Sequence, residues 1–496
     1  MRFVAAIFTV LLFLNGRVYA QELKDHAVNT AVYKTDRGKD IGSNWSLERC
    51  VQYAIDHNIS IKQDSLTEKL AKYTLKQSQL QQLPALSATG SYGRNFGRSV
   101  NPTTNQFVDA NYDFANATGN GNLLLFGWMQ VRNTIARNRY ALEASLADID
   151  QLRDDISLNV ATDFLTALLA KEQISVSNGQ VALSKGQLDQ TRAFAEAGRL
   201  PELNVAQLES QLATDSATLV TSIANYNSAV LDLKALLNLD FAEPFELQIP
   251  DVKPDEELLA SVMQPEDIYK KARMHFGSIK GAELRVTSAE KGLAASKGGL
   301  YPQLNLGYQV GNSFASNYQN VSGYKDSTIL TPYYVHINNT QYFVSEPTSI
   351  PNVVNTPFST QFKNNFRQSV YLAVNIPIFN GWQSQYAVRQ AKITLAQQQL
   401  NEYNMELTLK QNVYKAHNNA LNSIQKYYAA KRADDAATRA LDFATKRYDL
   451  GLTSTVDLLV TQNQQFTAAS NFIGAKYDLI FKLKVLDYYL GKELKL

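Results

Sequence analysis

The sequence predicts a mainly α-helical protein with a β-barrel part, assembled by duplicating a strand–strand–long helix–short helix unit. Three observations predict it: segments recur at a fixed offset, each half holds a proline-free stretch of 69 or 70 residues, and other segments alternate apolar and polar residues. Gly127-Trp128 returns as Gly381-Trp382, 254 residues later. Ala197-Gly198…Leu203-Asn204 returns as Leu450-Gly451…Val456-Asp457, and Leu237-Asn238 as Leu490-Gly491, both at 253. An offset held over so long a stretch marks duplication of a whole unit and not a short solenoid repeat.

Taken in order, residues 1–20 read as a secretory signal peptide. Arg2 precedes an apolar run over 3–14, and Val18-Tyr19-Ala20 forms a small-residue cleavage site before Gln21. Residues 21–45 are a polar extension expected at mid-height, beside the linker. The first repeat, 46–238, opens with a helix over 46–83. Pro84 then introduces strands, and a long helix over 128–197 and a shorter one over 201–238 follow. Seventy residues of helix extend roughly 105 Å. In the shorter helix Val205, Leu208, Leu212, Leu219, Ile223, Tyr226, Val230, Leu233 and Leu237 form an apolar seam spaced as in a left-handed coiled coil. An acidic linker over 239–264 contains Pro244, Pro250 and Pro254.

The second repeat, 265–490, runs in the same order, with helices expected over 265–300, 382–450 and 454–490 before a tail at 491–496. Leu83-Pro84-Ala85-Leu86 matches Tyr301-Pro302-Gln303-Leu304 at an offset of only 218, so about 35 extra residues follow Pro302. They fall near 312–365, a Tyr/Asn/Ser/Thr-rich stretch with four prolines that reads as a loop. Two short helices laid end to end match one long helix, which places their joint, and the linker, halfway along it.

Leu304, Leu306, Tyr308 and Val310 alternate with polar or small residues, as do Val370, Leu372, Val374, Ile376 and Ile378. In the first half Asn116, Thr118, Asn120 and Asn122 mark a polar face. Aromatic residues, among them Tyr92, Phe96, Phe107, Phe126, Trp128, Tyr301, Phe379 and Trp382, gather near strand ends, as at the two interfaces of a bilayer. After residue 20 no apolar run is long enough for a transmembrane helix, so membrane entry requires strands. Four strands per chain cannot close a barrel. Two chains give a filled eight-stranded one, and three give twelve strands around a lumen. A soluble or surface coiled-coil stalk, with its strands packed as a sandwich, is the alternative.

These residues resemble the TolC-type family of outer-membrane efflux and secretion channels. The resemblance rests on the duplicated unit, on Ile376-Pro377-Ile378-Phe379-Asn380-Gly381-Trp382 at a strand–helix joint, and on the turn Gly451…Val456-Asp457-Leu458-Leu459. It implies a homotrimer, a twelve-stranded barrel in outer-membrane lipid and a long α-helical tunnel crossing the periplasm. The implied partners are a periplasmic adaptor (membrane fusion) protein and an inner-membrane pump of RND or ABC type. It further implies a gate at the periplasmic tip, where Asp457 matches the first carboxylate of the family's constriction. Val460 stands where a second acidic residue is expected, Asn204 is the first-half counterpart of Asp457, and Thr453 replaces a basic residue, with Arg199 in the other turn. Independently of any gate, Ser454-x-x-Asp457 fits a capping box, and the two roles are compatible. Gly198 and Gly451 read as helix C-caps in turns facing an adaptor, and Gly127 and Gly381 as bend residues at the joints.

Composition and motifs point away from chemistry. Lys plus Arg number 48 and Asp plus Glu 46, with Arg2 and Arg17 inside the leader, so the remaining chain is balanced and predicts no nucleic-acid partner. Five scattered histidines have no ligand spacing, and nucleophile-elbow, phosphate-loop and dinucleotide motifs are missing, so no enzyme activity, metal or cofactor is expected. The single cysteine, Cys50, has no apolar leader directly before it for lipid attachment and is expected to be a buried helix residue.

Overall fold

The computed structural model describes residues 44–100, 106–109, 111–248 and 263–492. The leader at 1–20, most of the extension at 21–45, most of the linker at 239–264 and the end of the tail lie outside the described residues. Two long helices set the scale: α3 (Gln130–Glu196) and α8 (Gln383–Asp449), 67 residues each, or about 100 Å. Each is followed by a shorter antiparallel helix, α4 (Glu202–Leu237) and α9 (Thr455–Tyr489).

The helices expected over 46–83 and 265–300 are each two helices. α1 (Leu47–His57) and α2 (Ile59–Leu80) part at Asn58; α5 (Pro265–His275) and α6 (Gly277–Gly298) part at Phe276. Both break residues are extended, with ψ of 132° and 122°. Lengths of 11 and 22 residues recur in both halves, at the 218 offset of the prolines. Asn58 makes the break satisfiable. Its N–H donates to Ala54 O, closing α1, and its Oδ1 accepts from the N–H of Ser60 and Ile61, opening α2. At the second break Gly277 packs directly on the backbone of α3 at Ala147, where any Cβ would collide.

The strands form one four-stranded antiparallel sheet in the order β10-β7-β5-β2, from β2 (Ala85–Asn95), β5 (Tyr112–Phe126), β7 (Gln303–Ala315) and β10 (Arg367–Asn375). β10 stops at Asn375, so Ile376 and Ile378 belong to the connection around Pro377 and not to the strand. Above β2 and β5 a small ladder joins β3 (Arg98–Val100) and β4 (Phe107–Asp109).

The stretch read as a loop is a long β-hairpin instead. β8 (Gln319–Ile337) pairs with β9 (Thr340–Asn355) through Asn338-Asn339, both at positive φ as a two-residue hairpin turn requires. Its prolines are accommodated because both strands are edges, and Pro332 falls where the register shifts between Leu330 and Tyr334. A short helix, α7 (Phe358–Asn364), returns the chain to β10.

In the half nearest the sheet the helices stand in the row α2-α3-α6-α8; in the far half the row is α4-α3-α9-α8. The main core lies where the short helices meet. Trp45, Leu47, Cys50, Phe164, Leu168, Leu233 and Leu237 pack there beside the parallel pair β1 (Asn44–Trp45) and β6 (Glu246–Leu247). Cys50 is fully buried on α1, as expected, and burial pushes its thiol pKa up to about 12. A second cluster, Ile268, Phe276, Ile279, Val413 and Leu486, joins α5 to α8 and α9, and Arg273 reinforces it by donating to Glu406 at 2.7 Å.

Gln361 of α7 is 1% exposed and ties down the root of the β8–β9 hairpin. It accepts from Ala315 N and donates to Ala315 O and Thr356 O at 2.8–3.1 Å. Gln361→Ala strands those buried backbone groups, at about 1–3 kcal/mol. Limited trypsin digestion is expected to cut at exposed Lys325 several-fold faster in this variant, with the helical region equally resistant in both proteins.

Candidate functional site

Two regions position the residues that sequence reading singled out: the sheet with its joints to the long helices, and the far tip. In the sheet, register sorts most side chains by polarity, with Tyr371 and Leu124 on the polar face and Gln368 and Asn312 on the apolar one as exceptions. Val370, Leu372 and Val374 of β10 share a face with Leu304, Leu306, Tyr308 and Val310 of β7, and then with Gly119 and Gly121 of β5 and Leu86 and Ala88 of β2. The opposite face carries Ser369, Asn305, Gln309, Asn116, Thr118, Asn120, Asn122, Ser87 and Thr89. The first-half strands, which read weakly alone, thus contribute small residues to one face and amides to the other. Val370, Leu372 and Val374 are 68%, 65% and 63% exposed, so nothing among the described residues covers the apolar face there. The described strands therefore do not pack as a sandwich on that face.

Leu304 to Phe314 spans about 33 Å of strand. Tilted as barrel strands are, this stands about 25 Å tall, the height of an outer-membrane apolar band.

At the joints the sequence match and the structure differ by one residue. The left-handed residues are Trp128 (φ 50°) and Met129 (φ 62°) in the first half and Gly381 (φ 63°) and Trp382 (φ 70°) in the second. Gly127 is therefore not the bend residue; it is packed against Leu124 instead. The β5 register shifts between Leu124 and Phe126, just before this joint. Non-glycine residues in this conformation cost about 1–2 kcal/mol each. Trp128 offsets this by donating its indole N–H to Pro302 O at 2.8 Å and packing on Tyr301, which locks the two halves together. Pro84 is exposed, just before β2, and Pro377 lies beyond the end of β10.

At the tip both turns end their long helices in the same way. Gly198 (φ 71°) donates to Ala195 O and Arg199 N to Phe194 O; Gly451 (φ 73°) donates to Tyr448 O and Leu452 N to Arg447 O. These are paired Schellman closures, which require the left-handed residue. Ser454 caps α9 by accepting from Asp457 N at 3.1 Å, while its hydroxyl donates to Asp457 Oδ2 at 2.7 Å. Asp457 is exposed, as is Val460. Arg199 lies over the Phe194 ring, and no ion pair among the described residues joins it to Asp457. Asn204 and Thr453 are half-buried.

What binds the two turns is a set of contacts that sequence reading missed. Thr191 Oγ1 lies 2.9 Å from Tyr448 OH, which lies 3.3 Å from Thr455 Oγ1, all buried, and Gln190 donates to Asp449 at 3.0 Å. Further along α3, Ser177, Gln180, Ser184, Gln187 and Thr191 are all buried at spacings of three and four. Asp215 of α4 receives Ser184, Gln180 and Gln211, and Gln462 of α9 donates to Ser184. The mid-helix seam predicted for α4 is corrected accordingly. Asp215, Ser222 and Ala229 face inward there, and Ile223 is exposed. The spacing was in the sequence, but apolar periodicity cannot reveal a seam built of amides and hydroxyls.

A sheet apolar on one face and polar on the other, continued by helices of about 100 Å, defines an outer-membrane channel protein. The chain matches the model of the outer membrane efflux protein family over residues 50–239 and 268–492, and it belongs to that family. It is 24% identical over 393 residues to outer membrane protein TolC of Escherichia coli (strain K12), covering 78% of this chain and 72% of that one. Its fold is that of a membrane protein from Pseudomonas aeruginosa (TM-score 0.71, 16% identity, 90% and 91% of the two chains). The same holds for outer membrane protein VceC of Vibrio cholerae (TM-score 0.69, 16% identity, 90% and 94%). The TolC-type resemblance is thus borne out. The protein is an outer-membrane efflux channel reaching into the periplasm.

Tyr448→Phe removes the hydroxyl shared by Thr191 and Thr455 and is expected to cost about 1–3 kcal/mol. Adding Thr191→Val should recover part of that loss. Thermal unfolding midpoints of the four proteins in the double-mutant cycle measure the coupling.

Proposed function

We propose that three copies of this chain close into a twelve-stranded barrel and a continuous helical tunnel. The duct would conduct substrates passively from an inner-membrane pump across the periplasm and outer membrane. The single observation that carries this reading is that the wall has two raw edges, aligned from sheet to helices. β10 and α8 form one and β2 and α2 the other, and the outer flanks of β10 and β2 lack a strand partner among the described residues. The helical edges are apolar in heptads: Ile59, Leu66, Tyr73 and Leu80 on α2, and Tyr386, Ile393, Leu400, Leu407, Tyr414 and Leu421 on α8, all exposed.

Edge-to-edge closure sets β10 against a neighbour's β2, in antiparallel sense, and α8 against its α2. It pairs both outer edges of the four-stranded sheet, as a bilayer demands. The apolar face then meets lipid and the amide-rich face lines the lumen. The unit boundaries at 46–238 and 265–490, with 21–45 and 239–264 as a belt at mid-height, belong to the same reading.

The tip turns at Gly198 and Gly451 would meet the periplasmic adaptor, and Asp457 would form a ring of three carboxylates at the constriction, flanked by Asn204, Arg199 and Thr453. Its bond to the Ser454 hydroxyl occupies Oδ2, leaving Oδ1 for the pore. A pump of RND or ABC type would supply the energy and select the cargo.

Planar-bilayer conductance of the detergent-extracted protein, with its mass measured in the same preparation, tests this. A trimer with small, cation-selective conductance is expected. A water-soluble protein without conductance overturns the duct. Asp457→Ala should weaken cation affinity several-fold; unchanged affinity and conductance would remove Asp457 from the gate while leaving the duct intact.

A further inference from the structure

We propose that α7 is a lipid-interface anchor. Phe358, Phe362 and Phe366 would dip into the outer leaflet at the barrel rim, so that the β8–β9 hairpin starts at the membrane surface. The proposal rests on the barrel reading above and adds to it a surface that the duct itself does not need.

α7 occupies a particular place. β10 pairs with β7 only as far as Gly311, which leaves residues 312–315 of β7 without a strand on that side. α7 fills the gap in the plane of the sheet. Gln361 takes both backbone groups of Ala315, Asn365 Nδ2 donates to Ser313 O at 2.7 Å, and Asn312 Nδ2 donates to Phe362 O at 2.5 Å.

With the amide side of α7 turned to β7, Phe358 and Phe362 fall on one flank, four residues apart. That flank is on the apolar side of the sheet: Phe358 meets Phe314 edge-on at 5.2 Å, and Phe314 shares the face of Val310 and Tyr308. Phe366, just past the helix, precedes Gln368 by two residues in the register of β10, the register of Val370 and Leu372.

The three rings are 56%, 46% and 42% exposed. In water that exposure is unfavourable, because apolar ring surface is better removed from water. Phe314 stands at the top of the 25 Å band reckoned from Leu304, which puts the stripe at headgroup level, where aromatic residues are favoured. Lys363, exposed and two residues beyond the sheet-facing Gln361, falls on the side of the helix away from β7. The apolar face that continues below the stripe selects lipid over a protein partner.

Site-directed spin labelling of the full chain in proteoliposomes tests the proposal. Cys50 is fully buried with a strongly raised thiol pKa and does not compete for label. Nitroxides at Phe362→Cys, Lys363→Cys and Leu372→Cys would be compared for collision with oxygen, which partitions into lipid, and with a water-soluble nickel chelate. Phe362 is expected to favour oxygen several-fold, at a shallower depth than Leu372, with Lys363 favouring nickel. A nickel-accessible label at 362 beside a lipid-exposed one at 372 overturns the anchor but leaves the barrel. Nickel access at both sites overturns both. An immobilised label at 362, reached by neither reagent, means that a second copy covers the stripe, and it too overturns the anchor.

Discussion

Backbone hydrogen bonding at the two outer edges of the four-stranded sheet is the constraint on which the rest depends. Within the chain every ladder from β10 to β2 is paired, and the apolar face is left open at Val370, Leu372 and Val374. A sheet with that face in lipid cannot leave β10 and β2 unpaired, because nothing in hydrocarbon replaces their lost bonds. The same two flanks continue downward as α8 and α2, whose exposed heptads need cover for a different reason, the removal of apolar surface from water. Sheet and helices therefore impose one boundary condition by two separate forces, and the proposed ring meets both.

Duplication makes that boundary workable. The two halves repeat their helix breaks at Asn58 and Phe276, their tip turns at Gly198 and Gly451, and their mid-height turns at Asn238 and Gly491, all of the last four at positive φ. Each half thus has the same lengths above and below mid-height, and the rows of helices stay in step. The chemistry that closes a given turn is free to vary. Asn238 adopts the left-handed conformation that Gly491 fills in the other half, and Asn58 caps by its amide where Phe276 has none. What recurs is geometry.

Toward the tip the wall changes character. Around mid-height the interior is Phe164, Leu168, Leu233 and Leu237; lower down it becomes Gln180, Ser184, Asp215 and Gln462, joined by hydrogen bonds. Directional bonds between hydroxyls and amides specify register there, where an apolar seam would supply mainly adhesion.

The sequence by itself determined much of this protein: the duplication, the two long helices, the tip turns, the burial of Cys50 and the family. These follow from local rules, since helix propensity, glycine at a C-cap and alternation along one strand are each written within a few residues. Only the tertiary structure decided the rest. Residues 312–365 read as a loop because Asn, Ser, Tyr and four prolines look irregular one at a time, whereas β8 and β9 exist only as partners. The Gly-Trp repeat pointed to Gly127, yet a shift in β5 register moved the bend to Trp128 and Met129. The tip network, and the face on which Phe358 and Phe362 emerge, depend on which helix or strand stands alongside. Such choices are made by which elements stand together, from the two arms of one hairpin to partners more than two hundred residues apart, and no pattern within a single element encodes them.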